Sequence, residues 1–173
     1  AVLLADFANP KPTDNMCEFG CGCGIITTLC CQKNEKLKVT AVDIQPDAIE
    51  LTKKGVNFNG ISSRVTPICA DLKQLPSEMN GQFSLVVMNP PYKKMGAGLL
   101  SGESGVDIAR FEVECNIHEI CASAARLLKF HGRFCICHRP ERLADAICAM
   151  KNVGITPKRL RTVSQNKHSK ITL

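Results

Sequence analysis

Short apolar segments rich in β-branched residues alternate along this chain with segments of helical periodicity. The candidate strands are residues 16–19, 39–44, 65–69, 83–88, 133–138 and 158–163. The candidate helices are residues 25–32, 46–54, 108–129 and 140–152. This alternation predicts an α/β fold, with a doubly wound, mostly parallel sheet covered by helices on both faces. Since ligands of such sheets bind beyond the carboxyl ends of strands, functional residues are expected in the loops that follow strands.

The length of 173 residues is typical of one domain, so we expect a single domain over residues 1–173. Residues 1–8 have the pattern of a helix and residues 171–173 that of a strand just begun, so both ends are predicted to be incomplete. No apolar run approaches the ~20 residues of a membrane-spanning helix. Asp6 interrupts the apolar start and no basic residue precedes it, which is unlike a signal peptide. A cytoplasmic location without a membrane partner is therefore expected.

The chain has eleven cysteines, an odd number that prevents complete internal pairing. Most lie in apolar segments, as Cys69 and Cys135 do, where a thiol can serve as a small buried hydrophobe in a reducing compartment. The cluster of Cys17, Cys21 and Cys23 is the strongest candidate for a metal site, but no C-x-x-C pair is present. Because the cluster lies among glycines that favour a packing role for it, no metal is expected.

A glycine cluster follows the first candidate strand and precedes the first candidate helix. Glu18 is followed by Gly20, Cys21, Gly22 and Gly24, which gives the pattern G-x-G-x-G. Glycine lets the backbone turn tightly and approach a ligand with no Cβ in the way. The spacing differs from the G-x-G-x-x-G of dinucleotide-binding folds, which argues against a pyrophosphate site. The cluster predicts a ligand loop.

Acidic residues follow the second and third candidate strands. Asp43 stands at the distance from the glycines at which an acid can accept hydrogen bonds from ribose hydroxyls. Asp71 follows the third strand, and Leu72 beside it can form an apolar wall for a flat ring. Carboxylates at the ends of three successive strands, together with the glycine loop, predict a nucleoside ligand.

These residues resemble the class I S-adenosylmethionine-dependent methyltransferases, which have a Rossmann-like fold. The resemblance covers nearly the whole chain and implies that residues 18–24 hold the methionine end of the cofactor, Asp43 the ribose hydroxyls and Asp71 the adenine amino group. It also implies an antiparallel last strand. Glu18 stands where the family usually has Asp, a change that keeps the charge. The predicted cofactor residues are Glu18, Gly20, Cys21, Gly22, Gly24, Asp43, Ile44, Asp71, Leu72 and Asn89.

The fourth candidate strand is followed by Asn89, Pro90, Pro91 and Tyr92, the predicted catalytic residues. Two prolines stiffen the backbone and remove two donors. The side-chain oxygen of Asn89 and the carbonyl of Pro90 can accept both hydrogens of a planar NH₂ group, and Tyr92 can stack on a flat group. Taken alone, the four residues also fit a stiff surface turn. In the methyltransferase family this motif marks enzymes that modify N6 of adenine, N2 of guanine or a glutamine amide.

Further segments are similar to the bacterial tRNA(Val) adenine-N6 methyltransferases. They are residues 1–8, the NPPY loop and residues 138–143 and 157–161. This similarity implies methylation of N6 of an adenosine in tRNA, with RNA as the partner. Two other enzymatic hypotheses remain open: methylation of guanine N2 in ribosomal RNA and methylation of a protein glutamine. A hypothesis of another class is a non-catalytic RNA-binding module. The intact NPPY loop argues against it, because a module that only binds RNA would not require this motif.

The end of the chain is basic. Residues 151–173 contain six lysines and arginines and no acidic residue, which matches the whole net charge of +6. Such a segment can neutralise nucleic-acid phosphates or form a solvated face. His138 can contact RNA phosphate with its basic neighbours, or serve in an ion-pairing helix entry. His118, His131 and His168 are expected at the surface.

Overall fold

A computed structural model describes residues 1–90, 116–166 and 169–173. The chain forms two compact units, one of Ala1–Asn89 and Ser123–Cys137, the other of Pro90–Ala122 and His138–Leu173. The strands are β1 (Asn15–Phe19), β2 (Lys38–Asp43), β3 (Val65–Cys69), β4 (Phe83–Met88) and β5 (Leu128–Ile136). The α-helices are α1 (Val2–Ala8), α2 (Ile25–Lys33), α3 (Pro46–Phe58), α4 (Ile117–Leu127) and α5 (Leu143–Asn152).

The first unit contains a five-stranded sheet in the order β3-β2-β1-β4-β5. The strand order reverses at β1, which pairs in parallel with β2 on one side and with β4 on the other. Every residue of β4 is buried, which is typical of a central strand covered on both faces. The predicted α/β class is therefore confirmed, and the predicted strands 65–69 and 83–88 match β3 and β4 to the residue.

Alternating strand residues build the core of the first unit. Met16 of β1 and Ala41 of β2 lie in one cluster with Leu4 of α1, Ile26 of α2 and Ile49 of α3. Neighbouring positions such as Cys17 and Phe19, which point to the opposite face, are fully buried too. Because apolar helix stripes cover this sheet, its strands can be short and still form a stable core.

The last strand differs from the prediction in its start and in its direction. The sequence pattern predicts helix up to residue 129 and strand from 133, whereas β5 begins at Leu128. Leu128 pairs with Phe83 and Arg133 with Leu85, so the intervening residues form an irregularity in which His131 has a φ of 61°. β5 runs parallel to β4, so the predicted antiparallel last strand is wrong. The connection from β4 to β5 includes α4, the kind of long connection that parallel neighbours require.

The predicted sixth strand, residues 158–163, is also wrong. This segment forms no strand, and the described residues around it make one antiparallel bridge, between Ser164 and Ile171. The backbone of Val163 bonds to Thr172 and Leu173 rather than to a neighbouring strand. An apolar or β-branched run becomes a strand only where its backbone groups find a ladder partner. The helix predicted for residues 140–152 is confirmed as a 3₁₀ turn, Pro140–Arg142, followed by α5.

A buried carboxylate connects α1 to two strands at the amino edge of the sheet. Asp14 accepts hydrogen bonds from the Ser84 hydroxyl (2.6 Å), from the Lys11 amide (2.7 Å) and from Arg133, whose guanidinium also donates to the Ala8 carbonyl. Burial by itself raises the pKa of Asp14, but these hydrogen bonds and the charge of Arg133 outweigh it, so the pKa lies below its usual range. The carboxylate therefore favours the folded chain at neutral pH and loses this effect in acid.

No helix among the residues that the structure describes is long and apolar enough to cross a membrane.

We expect Asp14→Ala to lower the free energy of unfolding by roughly 1.5–3 kcal/mol, the usual contribution of hydrogen bonds to a charged group. Asp6→Ala is the matched control, because the pair of Asp6 with Lys33 is exposed and contributes at most about 1 kcal/mol. Urea denaturation at pH 7 measures both. An equal decrease in the free energy of unfolding of the two variants would show that the contacts of Asp14 stabilise the fold no more than an exposed ion pair does.

Candidate active site

Four loops meet at one edge of the first unit's sheet, because β1, β2, β3 and β4 run in parallel and end there. They carry the glycine cluster, Asp43, Asp71 and Asn89. The glycine loop and Asn89 follow β1 and β4, the neighbours between which the strand order reverses. That reversal opens the crevice in which doubly wound sheets bind ligands.

The glycine loop turns through left-handed backbone conformations. Gly22 has a φ of 55°, and a Cβ built on it would meet no atom within 4 Å. The space beyond Gly22 is therefore free for a ligand to approach the backbone. The loop is fixed to the sheet by the Cys21 amide, which donates to the Val42 carbonyl of β2 (3.0 Å), and it is closed on itself by the Gly24 amide, which donates to the Cys21 carbonyl (2.8 Å). An open approach and a fixed backbone fit a small-molecule cofactor.

Asp43 supports the loop from the end of β2. Its side chain accepts the Gly22 amide at Oδ2 (2.8 Å) and the Gln45 amide at Oδ1 (3.0 Å). A carboxylate oxygen can accept a second hydrogen bond, so both atoms keep capacity for ribose hydroxyls. Ile44, the next residue, exposes an apolar side chain at the same edge. Asp43 is thus both a loop support and a candidate ligand contact.

Glu18, the acidic residue near the end of β1, is enclosed in the protein interior. It is 1% exposed, and its Oε2 accepts hydrogen bonds from the backbone amide of Thr27 (2.8 Å) and from the Thr27 hydroxyl. Burial raises the pKa of Glu18 to about 8, against the effect of the Thr27 bonds and with a contribution from the charge of Asp43. This side chain connects β1 to the first turn of α2. A direct contact between Glu18 and the cofactor stays a prediction.

Asp71 begins a 3₁₀ turn, Leu72–Gln74, and caps it by accepting the Lys73 amide at Oδ1 (2.9 Å). Its Oδ2 lies 3.6 Å from the Lys73 ammonium, and Leu72 is buried beside it. The predicted polar contact and apolar wall are therefore adjacent at the sheet edge.

Arg126, which the sequence reasoning did not single out, braces the segment that follows Asp71. Its guanidinium donates to the Leu75 carbonyl (3.1 Å) and to Asn80 Oδ1 (2.7 Å), and its carbonyl accepts the Gly81 amide (3.0 Å). Nothing in the local pattern distinguishes Arg126 from a solvated arginine near the end of a helix. Its partners Leu75 and Asn80 lie 51 and 46 positions earlier in the chain, so these contacts depend on the tertiary structure.

The structure places part of the NPPY motif. Asn89 directly follows β4 and is half-buried, and Pro90 is buried. Pro91 and Tyr92 lie outside the described residues, as do Cys115, Lys167 and His168.

The cysteines mostly behave as predicted. The buried ones are Cys17, Cys21, Cys30, Cys31, Cys121 and Cys135. Burial raises the pKa of the Cys21 thiol to about 12, so it stays protonated at neutral pH. Cys69, the last residue of the edge strand β3, is exposed rather than buried. Among the described residues no group of His, Cys, Asp and Glu side chains is arranged to hold a metal ion.

In the second unit, His138 begins the approach to α5. Its Nδ1 accepts the Arg139 amide (2.9 Å), and burial, with the charges of Arg142 and Arg139, lowers its pKa. The lowered pKa disfavours the charged form of His138 that would pair with a phosphate, whereas Arg142 pairs with Asp145 at 3.2 Å. These contacts favour the helix-entry role. His118 and His131 are exposed, as predicted.

Comparison with known proteins gives consistent matches. The family model "Methyltransferase small domain" matches residues 1–153. A tRNA1(Val) (adenine(37)-N6)-methyltransferase of Flavobacteriaceae bacterium (strain 3519-10) is 26% identical over 99% of this chain and 78% of its own length. Ribosomal RNA small subunit methyltransferase C of Aeromonas hydrophila is 33% identical over 53% of this chain and 25% of its own length.

Solved structures share the fold. A geranyl diphosphate methyltransferase in complex with SAM superposes with a TM-score of 0.60 at 18% identity, covering 91% of this chain and 60% of that one. Curated relatives from Haemophilus influenzae are matched over about half of their length, 54%. The chain thus corresponds to only part of several of the proteins it resembles.

We expect Glu18→Gln to flatten the pH dependence of stability between pH 5 and 8. The folded chain keeps the Glu18 proton up to about pH 8, while the unfolded chain releases it near the ordinary pKa of 4.5. The free energy of unfolding therefore falls as pH rises through this window, by up to about 1.4 kcal/mol per pH unit. Glutamine cannot titrate and removes this contribution.

Urea titrations at pH 5, 6, 7 and 8 measure the difference between wild type and variant. Glu50→Gln is the control, because Glu50 is exposed and its hydrogen bond to Lys53 lowers its pKa, so it titrates below this window. Parallel curves for wild type and Glu18→Gln would contradict a retained proton on Glu18.

Proposed function

The chain belongs to the methyltransferase small domain family, and from that premise we propose that it transfers the methyl group of S-adenosylmethionine to N6 of an adenosine in tRNA. The observation that carries the proposal is the position of Asn89, at the end of β4 and next in sheet order to the glycine loop after β1. A group that binds an amino substrate and a loop that binds the cofactor would therefore face one crevice.

The residues at the sheet edge fit the cofactor. The open side of Gly22 and the neighbouring loop positions Gly20 and Gly24 would hold the methionine end. The unused lone pairs of Asp43 would accept the ribose hydroxyls. Asp71 would accept the adenine amino group through Oδ2, while Leu72 and Ile44 supply apolar surface to the ring. When bound, S-adenosylmethionine supplies an electrophilic methyl group on a positively charged sulfur.

Asn89 and Pro90 would orient the acceptor. The amide oxygen of Asn89 and the carbonyl of Pro90 would accept the two hydrogens of the substrate NH₂ group, which turns the nitrogen lone pair towards the methyl group. Fixing the two reacting atoms in this way can lower the barrier by several kcal/mol, about 7–11 in well-oriented intramolecular reactions. No base is needed before transfer, since the methylated nitrogen can release its proton afterwards to water. Tyr92 would stack on the target base.

A basic, exposed segment supports an RNA substrate. Lys151, Lys158, Arg159 and Arg161 are exposed, and the described residues from 151 onward include no acidic side chain. Such a segment attracts phosphates and gives an affinity that falls steeply with salt. A base within structured RNA must leave its stack to reach the NPPY loop. The relative at 26% identity, named for tRNA1(Val) adenine(37), supports tRNA as the substrate class.

Ribosomal RNA is the second candidate, supported by the 33% identity with ribosomal RNA small subunit methyltransferase C. That match covers 53% of this chain, against 99% for the tRNA enzyme. The broader match supports tRNA as the first candidate. The same basic segment argues against a protein glutamine as the acceptor, because an acidic partner suits it better.

The test is to incubate the protein with methyl-labelled S-adenosylmethionine and, separately, unmodified tRNA, ribosomal RNA and bulk protein, and then to identify the labelled residue. We expect label in N6-methyladenosine from tRNA. Asn89→Ala should lower the rate at least tenfold and weaken S-adenosylmethionine binding far less, because Asn89 orients the acceptor and is only one of the ten residues predicted to hold the cofactor.

Three outcomes would contradict parts of this proposal. Label in a guanosine of ribosomal RNA would favour the second candidate, and label in protein would exclude RNA as the substrate. Equal losses of rate and cofactor affinity in Asn89→Ala would contradict the orienting role of that side chain.

We expect Asp43→Asn to weaken S-adenosylmethionine binding at least tenfold. An amide has one acceptor oxygen, so it cannot serve both the Gly22 and Gln45 amides and also bind ribose as the carboxylate can. Isothermal titration calorimetry measures the dissociation constant. Asp47→Asn, a nearby exposed acid on the first turn of α3, is the control and should bind like wild type. An unchanged constant in Asp43→Asn would refute the ribose assignment.

A further inference from the structure

The side chain of Thr52 on α3 reaches the glycine loop at the carbonyl of Gly22. The residue is fully buried, with 0% exposure. Its hydroxyl donates to the Gly22 carbonyl at 2.9 Å and lies 3.5 Å from the Cys21 thiol. A buried hydroxyl that donates to a loop carbonyl is a directed contact, since an unpaired carbonyl there would cost free energy.

Both backbone polar groups of Gly22 are held by side chains. Its amide donates to Asp43 at the end of β2, and its carbonyl accepts from Thr52 on the next helix. The plane of the loop backbone is therefore set by two residues that lie nine positions apart in the chain. Rotation of either flanking peptide would break one of the two bonds.

The same threonine shapes the end of the loop. A Cβ built on Gly24, whose φ is 75°, would lie 3.1 Å from both Cγ2 and Oγ1 of Thr52. Thr52 thus packs closely against the glycine backbone that begins α2. Thr52 therefore holds both ends of residues 22–24, through a hydrogen bond to the Gly22 carbonyl and a packing contact at Gly24.

We propose that Thr52 is a positioning residue for the methionine end of the cofactor, which acts through the backbone of residues 21–24 without touching the cofactor. The inference rests on the proposed assignment of the glycine loop to that end of S-adenosylmethionine. Without the Thr52 hydroxyl the loop samples more conformations, and binding must order it first. The adenosine end, held at Asp43 and Asp71, does not depend on this hydroxyl.

Two substitutions separate the hydroxyl from the packing. Thr52→Val keeps the volume and removes the donor, whereas Thr52→Ser keeps the donor and removes the methyl group. The probes are S-adenosylhomocysteine and 5′-methylthioadenosine, which lacks the amino-acid part. We expect Thr52→Val to weaken S-adenosylhomocysteine binding about tenfold, the effect of one lost hydrogen bond of average strength or slightly more. Methylthioadenosine binding should change less than twofold, and Thr52→Ser should bind both ligands nearly as wild type does.

Val56→Ala is the matched control for a weakened α3, because Val56 is buried one turn further along the same helix. It should leave the ratio of the two dissociation constants unchanged. If Thr52→Val does not fold, as judged by circular dichroism, Thr52→Ala removes the same donor and carries the same expectation.

The proposal is overturned if the hydroxyl-free variant loses both ligands equally, if it loses neither, or if Thr52→Ser is as weak as Thr52→Val. Failure of the proposed function would give different results. A wild-type protein that binds neither ligand would refute the cofactor assignment itself. Wild-type binding of both ligands with equal affinity would refute the assignment of the glycine loop to the methionine end.

Discussion

β1 forms parallel ladders on both sides, with β2 and with β4, and this pairing places the candidate site. Since parallel neighbours end at the same edge, residues from four separate parts of the sequence lie at one edge of the sheet. The buried core beneath them keeps the strand ends in register. Asp14 and Arg133 stabilise the opposite edge, where α1 joins the sheet. The position of the candidate site therefore depends on long-range strand pairing.

The acidic side chains at the candidate site accept hydrogen bonds from the surrounding backbone. Glu18 holds the first turn of α2, Asp43 holds the Gly22 amide, and Asp71 caps the turn that carries Leu72. The backbone that would meet the cofactor is thus ordered in advance, which lowers the entropy lost on binding. The difference in burial explains their separate roles: Glu18 is enclosed and holds its proton, whereas Asp71 stays partly accessible.

Sequence patterns predicted most of the sheet but not its last part. β4 is a mostly apolar run, the pattern expected of a strand that is buried on both faces, and β3 is a short run that contains β-branched residues. Leu128 continues the apolar spacing of α4, so the pattern gives no sign that the chain leaves the helix there. Residues 158–163 have strand-like composition, but their described backbone has no ladder partner. Strand formation at both places depends on a neighbour that no local pattern specifies.

Residue types alone were enough to predict the candidate site: the glycines that permit a left-handed turn, the acids after the strands, and the Asn-Pro pair after β4. These features are local, because each follows from residue types within a few positions of a strand end. Other features emerge only in the folded chain: Glu18 is buried against Thr27, Thr52 and Asp43 bind the carbonyl and the amide of Gly22, and Arg126 braces the segment after Asp71. These contacts join side chains to backbone groups between 9 and 51 positions away in the chain, and the packing of helices on the sheet selects them.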